Sequence, residues 1–202
     1  MPPLLVLGTA NRKKAAELVE LLANEPLALR TLADFPDAIA VEETGHTFAE
    51  NARLKATQQA RHLQAWTLGE DSGISVDALG GRPGVYSARH SGPDATDERN
   101  NARLLEELGD TPLEKRTAHY TCHIAMADPR GNVQATCEAI CRGLIRFKPA
   151  GSNGFGYDPL FEIVEYHRTF GELSPVVKSV LSHRTRAISQ LLPTLRQLLR
   201  HS

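Results

Sequence analysis

Lysines that could bind a phosphate group lie in the segment Thr9 to Lys14. Lys13 and Lys14 stand where a short apolar run gives way to a helical pattern. Free backbone N–H groups and the helix dipole favour an anion at a helix N-terminus. The alternative is that Asn11 merely caps the helix and the lysines form a solvated first turn. Local sequence leaves both interpretations open.

Two acidic pairs could supply the opposite charge. Glu42 and Glu43 form the first, and Glu70 and Asp71 follow the apolar run Ala65 to Leu68, which we interpret as a buried strand that these acids end. Open α/β sheets usually place their ligands at the carboxyl ends of strands. Carboxylates beside a phosphate need a cation between them, and oxygen-only ligands favour Mg²⁺. Two solvated acidic turns remain the alternative.

Two later segments could recognise a base. Gly151 to Pro159 offers glycines that permit close backbone approach and aromatic rings that could stack. A Gly-rich surface turn is the alternative. Lys178 and Ser182 to Arg184 concentrate hydrogen-bond donors, a weak signal by itself because basic helix starts are common. Cys137 and Cys141 follow strand alternation and lack the paired Cys/His sets of a zinc site, so we interpret them as small buried side chains.

Strands and helices that could position these residues follow from the apolar pattern. The run Pro3 to Leu7 predicts a buried strand, and apolar residues at helical spacing after Asn11 predict a helix. Thr47 with Glu50 forms a capping box that predicts a second helix running to Leu63. The order is strand, tight loop, helix, as α/β folds require.

The second half of the chain predicts a long antiparallel hairpin. Ala118 to Met126 and Val133 to Cys141 alternate between apolar and other residues, with turn residues between them, so both strands should be half buried. A helix ending near Gly109 precedes the hairpin, and Arg184 to Leu199 predicts a C-terminal amphipathic helix interrupted by Pro193. No repeat or linker divides the chain, so residues 1–202 are expected to form a single domain.

Composition excludes several classes of protein. The 202 residues carry 23 Lys+Arg and 24 Asp+Glu, a formal net charge of −1, which argues against nucleic acid or an anionic membrane as partner. The 3 cysteines and the absence of an export-signal pattern at the N-terminus lead us to expect a cytoplasmic protein. No apolar run approaches the roughly 18 residues that a spanning helix needs.

Taken in order, these motifs resemble the inosine triphosphate pyrophosphatase family, whose members hydrolyse non-standard purine nucleoside triphosphates. The resemblance spans nearly the whole chain. It is carried by Thr9, Asn11 and Lys14, by Glu42 to Lys55, by Asp71 to Gly73, by Pro83 to Arg89, by Gly154 to Pro159, and by Lys178 with Ser182 to Arg184. The chain departs from the family pattern at Ala10 and Lys13, where glycines are usual, and at Glu70, where Asp is usual.

The resemblance implies an α/β fold with a central mixed sheet, a long twisted antiparallel hairpin, flanking helices, and two lobes with a nucleotide cleft between them. It implies a homodimer acting on ITP, dITP or XTP. Asp71 would be the catalytic proton acceptor, and Glu43, Asp71 and Glu70 would place Mg²⁺. The substrate-binding residues it implies are Thr9, Ala10, Asn11, Arg12, Lys13, Lys14, Lys55, Ser72, Phe155, Gly156, Tyr157, Asp158, Lys178, His183 and Arg184.

For base selection, the resemblance puts Phe155 against the purine face and polar side chains around its edge. We hypothesise that Lys178 or Arg184 donates to the 6-oxo oxygen while Asp158 accepts from the ring N1–H. The 6-amino group of adenine would then present a donor to donors, so ATP should be rejected.

Two rival functions are weighed against this one. A Maf-like pyrophosphatase acting on pyrimidine or modified nucleotides would share the scaffold, but Gly154 to Pro159 with Ser182 to Arg184 disfavours it. A non-catalytic nucleotide- or RNA-binding module is disfavoured by the near-neutral charge and by the presence of Asp71 and Lys14.

Overall fold

A computed structural model describes residues 2–200 of the chain. Within them, seven strands form one sheet in the order β2-β1-β3-β4-β5-β6-β7. The strands are β1 (Leu4–Leu7), β2 (Ala28–Thr31), β3 (Trp66–Val76), β4 (Thr117–Ala127), β5 (Val133–Ile145), β6 (Phe161–Ile163) and β7 (Arg168–Thr169). The helices are α1 (Arg12–Leu22), α2 (Phe48–Leu63), α3 (Asp97–Leu108), α4 (Pro175–Leu181) and α5 (His183–Leu199). No helix among the described residues is both long and apolar enough to cross a membrane.

The sheet is mixed. β1 pairs in parallel with β2 and with β3, whereas β6 pairs antiparallel with β5 and β7. β4 and β5 are neighbours joined by a turn in which the Asp128 N–H donates to the Asn132 carbonyl at 3.0 Å. The predicted α/β fold with a mixed sheet, a long hairpin and flanking helices is confirmed.

Both predicted helix starts are capped by the residues that the sequence indicated. The Asn11 side chain accepts hydrogen bonds from the backbone N–H groups of Lys13 and Lys14. At the start of α2, Thr47 Oγ1 accepts the Glu50 N–H and the Glu50 carboxylate accepts the Thr47 N–H, each at 3.1 Å. The capping box therefore fixes where α2 begins.

The chain forms two compact units. Unit 1 comprises the residues up to Asp71, Cys122–Ala139 and the residues from Arg184 onward, and unit 2 comprises Ser72–Thr121 and Ile140–His183. Each has its own apolar core. The core of unit 1 includes Leu5, Leu7, Leu18, Leu22, Leu68, Ile124, Met126, Ile188 and Leu191. The core of unit 2 includes Ile74, Val76, Leu104, Leu108, Tyr120, Tyr157, Phe161 and Phe170.

Within unit 1, α2 packs against β3 at a glycine. A Cβ atom at Gly69 would lie 2.3 Å from the Ala52 carbonyl oxygen and 2.5 Å from the Ala56 nitrogen. A side chain here would therefore collide with helix backbone. The missing side chain lets the helix carrying Lys55 approach the strand that carries Asp71.

The prediction that Glu70 and Asp71 end their strand is wrong, because β3 continues to Val76. The last register pair between β1 and β3 joins Leu7 to Leu68, and the Gly8 N–H donates to the Leu68 carbonyl at 2.8 Å. β4 is the other neighbour of β3, so the strand persists where β1 stops. The two acids thus lie inside β3, just past the carboxyl end of β1.

Two further expectations need correction. α5 runs through Pro193 without interruption. Pro193 is exposed, so the carbonyl group whose helical hydrogen bond it removes can be solvated.

The second correction concerns the hairpin. β4 is buried along most of its length, whereas β5 is half buried as predicted. Ile124 of β4 lies in the main core of unit 1, and its neighbour Ala125 packs with the alanines of α2, so apolar groups cover both strand faces.

Candidate functional site

The loop between β1 and α1 places its basic side chains unequally. Ala10, Arg12 and Lys13 are exposed, whereas Lys14 is half buried and its Nζ lies 3.8 Å from Glu70 Oε2. The Asn11 side chain accepts the Lys13 and Lys14 N–H groups at 3.0 and 3.1 Å, so Asn11 caps α1 as its position predicted. A bound phosphate would therefore meet the lysine side chains and the helix dipole rather than those two N–H groups.

A lysine and two carboxylates form the centre of the site in unit 1. Lys55 Nζ lies 2.8 Å from Asp71 Oδ1 and 3.1 Å from Glu43 Oε1. It also donates to the Glu70 carbonyl at 3.0 Å. Lys55 and Asp71 are buried, with 7% and 5% of their surfaces exposed, so water screens this pair little.

Burial and charge shift the proton affinities of this pair. Burial raises the pKa of Asp71 above its ordinary value, although Lys55 and Lys14 act in the opposite direction. Burial alone would lower the pKa of Lys55, but the carboxylates of Asp71 and Glu43 outweigh it and raise that pKa. A carboxylate with a raised pKa is a better proton acceptor, as a general base requires.

Glu70 faces a different set of partners from Asp71. Arg184 Nη2 donates to Glu70 Oε1 at 3.1 Å, and the Cys122 thiol lies 3.5 Å from the same oxygen. Arg184 also pairs with Glu17 of α1. Glu70 is fully buried, so the Arg184 guanidinium and the Lys14 ammonium compensate a charge that water cannot reach. Its role as a metal ligand stays a prediction.

The donor set of unit 1 suits a magnesium ion better than a transition metal. Glu43 and Asp71 offer carboxylate oxygens, and both contact the same ammonium group. Among residues 2–200, no three His, Cys, Asp or Glu side chains converge as a metal-ligand cluster. Mg²⁺ commonly uses one or two carboxylates and takes its remaining ligands from water and phosphate oxygens. The residues present therefore fit this ion.

In unit 2, Asp158 organises the Gly-rich loop. Its Oδ2 accepts the Phe155 N–H at 2.8 Å and the Lys178 ammonium at 2.7 Å. Its Oδ1 accepts the Tyr120 hydroxyl at 3.2 Å. A Cβ atom at Gly154, whose φ is +76°, would lie 2.0 Å from Asp158 Oδ2, so the loop closes on the carboxylate only with glycine there.

Aromatic rings surround this buried ion pair. Lys178 Nζ lies 4.9 Å from the centre of the Phe155 ring. The His183 ring stacks on Tyr120 with centres 4.7 Å apart and planes 9° from parallel. Burial, followed by the Asp158 charge, raises the pKa of Tyr120 well above its ordinary value, so its hydroxyl stays a donor. The arrangement offers a flat ring and a cation to a ligand.

Other predicted site residues have structural contacts. The Tyr157 hydroxyl donates to the Ser87 carbonyl at 2.8 Å, and the Asn101 amide donates to the Gly156 carbonyl at 2.9 Å. Thr9 is buried and its hydroxyl oxygen accepts the Asn11 N–H at 3.3 Å. Ser72 is half buried in β3. These contacts hold the loops in place whether or not the residues also touch a ligand.

Asn51 and Glu17 both contact predicted site residues, and the sequence analysis assigned neither of them to the site. Asn51 donates to Asp71 Oδ2 at 3.3 Å. It stands within the motif Glu42 to Lys55, one helical turn before Lys55, and that spacing could have signalled a shared face. Glu17 pairs with Arg184 at a sequence separation of 167 residues, which no local pattern could reveal.

The fold and site together define a mixed α/β protein with a lysine–carboxylate cluster beside a capped helix N-terminus. More particularly, the chain belongs to the Ham1 family, whose sequence model matches residues 5–194. The family resemblance inferred from the motifs is thereby confirmed.

Individual relatives match over nearly their full length. The chain is 54% identical over 194 residues to a protein named dITP/XTP pyrophosphatase from Rhodopirellula baltica, covering 96% of this chain and 93% of the relative. A Geobacillus kaustophilus protein with the same name is 48% identical, with coverages of 93% and 91%. The solved Staphylococcus aureus Ham1 protein aligns with a TM-score of 0.85 and 34% identity, over 96% of this chain and 98% of that one. A solved HAM1 protein from Coxiella burnetii aligns with a TM-score of 0.87 and 36% identity, over 96% of this chain and 99% of that one.

Proposed function

We propose that this protein hydrolyses non-standard purine nucleoside triphosphates, among them ITP, dITP, XTP and dXTP, to the nucleoside monophosphate and pyrophosphate. The observation that carries the proposal is the buried Asp71 carboxylate, which pairs with Lys55 and follows Glu70, whose carboxylate lies 3.8 Å from the Lys14 ammonium. This is a proton acceptor beside cations suited to a polyphosphate. Relatives at 54% and 48% identity bear the name dITP/XTP pyrophosphatase.

The chemistry assigned to unit 1 is an attack of water on the α-phosphorus. Lys14 and Lys55 bind phosphate oxygens, and the loop Thr9 to Lys14 adds the dipole of α1. Asp71 accepts a proton from the water as its oxygen bonds to the α-phosphorus. The bond to the bridging oxygen breaks, and pyrophosphate leaves. Positioning and electrostatics lower most of the barrier, and no covalent enzyme intermediate is required.

Glu43 and Asp71 would hold a divalent ion, which we propose is Mg²⁺, with Glu70 as a further candidate. When bound, the ion would neutralise phosphate charge and help to activate the attacking water. Lys55 already contacts both Glu43 and Asp71, so it keeps these carboxylates close together before any ligand arrives. Their mutual repulsion is reduced by its charge.

For base selection, we propose that Phe155 stacks on the purine and that Lys178 donates to the 6-oxo oxygen. Arg184 is the weaker candidate for that donor, because Glu17 and Glu70 already pair with it. Both oxygens of Asp158 accept hydrogen bonds from protein donors, which favours a role in positioning Phe155 and Lys178 over direct acceptance from the ring N1–H. Adenine would place its 6-amino donor against the Lys178 ammonium, and two donors cannot form a hydrogen bond with each other.

A panel of triphosphates tests the proposal. Pyrophosphate release is measured from ITP, XTP, GTP, ATP and pyrimidine triphosphates, with and without Mg²⁺, and in ¹⁸O-labelled water. We expect rapid release from ITP and XTP only with the metal, and the label in the monophosphate. Preference for pyrimidine or modified nucleotides would favour the Maf-like alternative, and tight ITP binding without hydrolysis would favour a binding module. Equal turnover of ATP and ITP would overturn the base-selection scheme.

Family membership supports a further proposal, a homodimer in solution. The 3 cysteines, an odd number, support another, a cytoplasmic location, because a reducing compartment keeps thiols unpaired. Light scattering coupled to size-exclusion chromatography would measure the dimer directly. A mass corresponding to one chain at assay concentration would contradict it.

A further inference from the structure

Asn51 is a fully buried, uncharged side chain in the middle of the charged site of unit 1. It lies on α2 one helical turn before Lys55, with 0% of its surface exposed. Its amide nitrogen lies 3.3 Å from Asp71 Oδ2, while Lys55 Nζ lies 2.8 Å from Asp71 Oδ1. Each oxygen of the Asp71 carboxylate thus accepts from a different residue of one helix.

The orientation of the Asn51 amide is fixed by a loop residue. The Gly45 N–H donates to Asn51 Oδ1 at 2.8 Å, so the oxygen end is assigned and the NH₂ end must face Asp71. A Cβ atom at Gly45 would lie only 2.7 Å from the same oxygen, so glycine leaves the room for this bond. The loop that carries Glu43 therefore also sets the direction of the Asn51 donor.

We propose that Asn51 is a positioning residue, whose amide holds the Asp71 carboxylate in the orientation in which it accepts the proton of the attacking water. This inference rests on the proposed function, since it assigns the proton transfer to Asp71. Two donors on one rigid helix restrict rotation of the carboxylate about its Cβ–Cγ bond. Such restriction contributes to rate because a small misplacement of a catalytic group is costly.

A buried amide could instead serve only the stability of α2, and the same helix offers a matched control. Gln59 is 1% exposed, and its amide nitrogen donates to the Ile39 carbonyl at 2.6 Å. Among the described residues, no hydrogen bond joins the Gln59 side chain to Lys55 or Asp71. Loss of either amide should lower the melting temperature, but only loss of Asn51 should change catalysis.

The first experiment compares Asn51→Leu with Gln59→Leu in steady-state hydrolysis of ITP. We expect kcat of Asn51→Leu to fall roughly 10- to 100-fold with KM little changed, the scale of one hydrogen bond to a charged group. The kcat of Gln59→Leu should stay within about twofold of the unsubstituted protein, since its bond is remote from the reaction. Equal kcat values in the two variants, measured below both melting temperatures, would overturn the inference.

A second variant distinguishes the hydrogen bond of Asn51 with Asp71 from its hydrogen bond with Gly45. It also tests the inference if Asn51→Leu fails to fold. Asn51→Asp keeps the oxygen that accepts from Gly45 but places an acceptor where Asp71 needs a donor. A drop in kcat of roughly 10-fold or more, with a folded protein by circular dichroism, is expected. Unchanged kcat in this variant would refute the positioning role.

A double-mutant cycle tests whether Asn51 acts through Asp71. In an Asp71→Asn background, adding Asn51→Leu should cause no further fall in kcat, because the group being positioned is already gone. A further fall as large as that of the single variant would show an independent role and overturn the inference. If the unsubstituted protein releases no pyrophosphate from ITP, the proposed function itself fails, an outcome distinct from any result on Asn51.

Discussion

The charged groups of unit 1 and those of unit 2 are organised differently. In unit 1, Lys55 is shared between the carboxylates of Asp71 and Glu43. In unit 2, Lys178 pairs with the carboxylate of Asp158 amid aromatic rings. The first arrangement can exchange partners when a ligand arrives, because several charges compete. The second is a buried pair whose carboxylate also accepts hydrogen bonds from the Tyr120 hydroxyl and the Phe155 N–H.

From this difference we expect unit 1 to carry out the chemistry and unit 2 to recognise the base. A cluster with competing charges and a carboxylate of raised pKa suits proton transfer and phosphate binding. A buried lysine–aspartate pair among aromatic rings suits the recognition of a flat ligand with polar edges. Substitutions in unit 1 should therefore change kcat, and substitutions in unit 2 should change the choice of substrate.

The largest effect is expected at Asp71. Asp71→Asn keeps the side-chain volume and removes the proton acceptor, so kcat for ITP should fall about 10³-fold or more. Circular dichroism and thermal melting should show a folded protein. Ordinary turnover in this variant would remove the basis for placing the chemistry in unit 1.

Lys55 should come next. Lys55→Met retains much of the apolar stem but leaves the carboxylates of Asp71 and Glu43 without their shared cation. We expect kcat/KM to fall about 10²-fold, in the range found when one electrostatic donor is removed from an active site. Assays below the melting temperature of the variant separate this loss from instability. An Lys55→Met protein with unaltered kcat/KM would contradict the shared-cation interpretation.

Asp158 should alter selectivity more than rate. Asp158→Asn can still accept from the Phe155 N–H but no longer balances the Lys178 charge. We expect the ratio of kcat/KM for ITP to that for ATP to fall roughly 10-fold, because a hydrogen bond to a charged group is weakened. If both substrates lose activity by the same factor, unit 2 has no separate role in recognition.

The smallest effect is expected at Tyr157. Tyr157→Phe removes the hydroxyl that donates to the Ser87 carbonyl, which still accepts from the Asn100 amide at 3.3 Å. The free energy of unfolding should fall by about 1 kcal/mol, with kcat and KM for ITP within about twofold of their original values. Denaturant titration and ITP kinetics provide the two measurements. A selective loss of ITP binding would instead place the hydroxyl in substrate recognition.

The sequence predicted those parts of the fold that local patterns encode. The Asn11 cap and the Thr47–Glu50 capping box marked two helix starts, and alternation marked the hairpin. The continuation of β3 beyond Asp71 was not predictable in the same way. Acidic residues followed by Gly73 resemble a turn, and only pairing with distant strands makes them part of a strand.

The proximity of Lys55 and Asp71 agrees with the motif order, which places both residues in one predicted site. The site was not predictable where the contact depends on tertiary packing. Glu17 and Arg184 meet although 167 positions separate them. The spacing of Asn51 from Lys55 indicates a shared helix face, but only the approach of α2 to β3 shows that the Asn51 amide reaches the Asp71 carboxylate.

That approach depends on Gly69, where the helix backbone occupies the volume that a side chain would need. Any larger residue at this position would hold α2 away from β3 and so move Lys55 and Asn51 from Asp71 while leaving all three chemically intact. An inventory of acids, bases and amides would therefore omit the residue that sets the dimensions of the site.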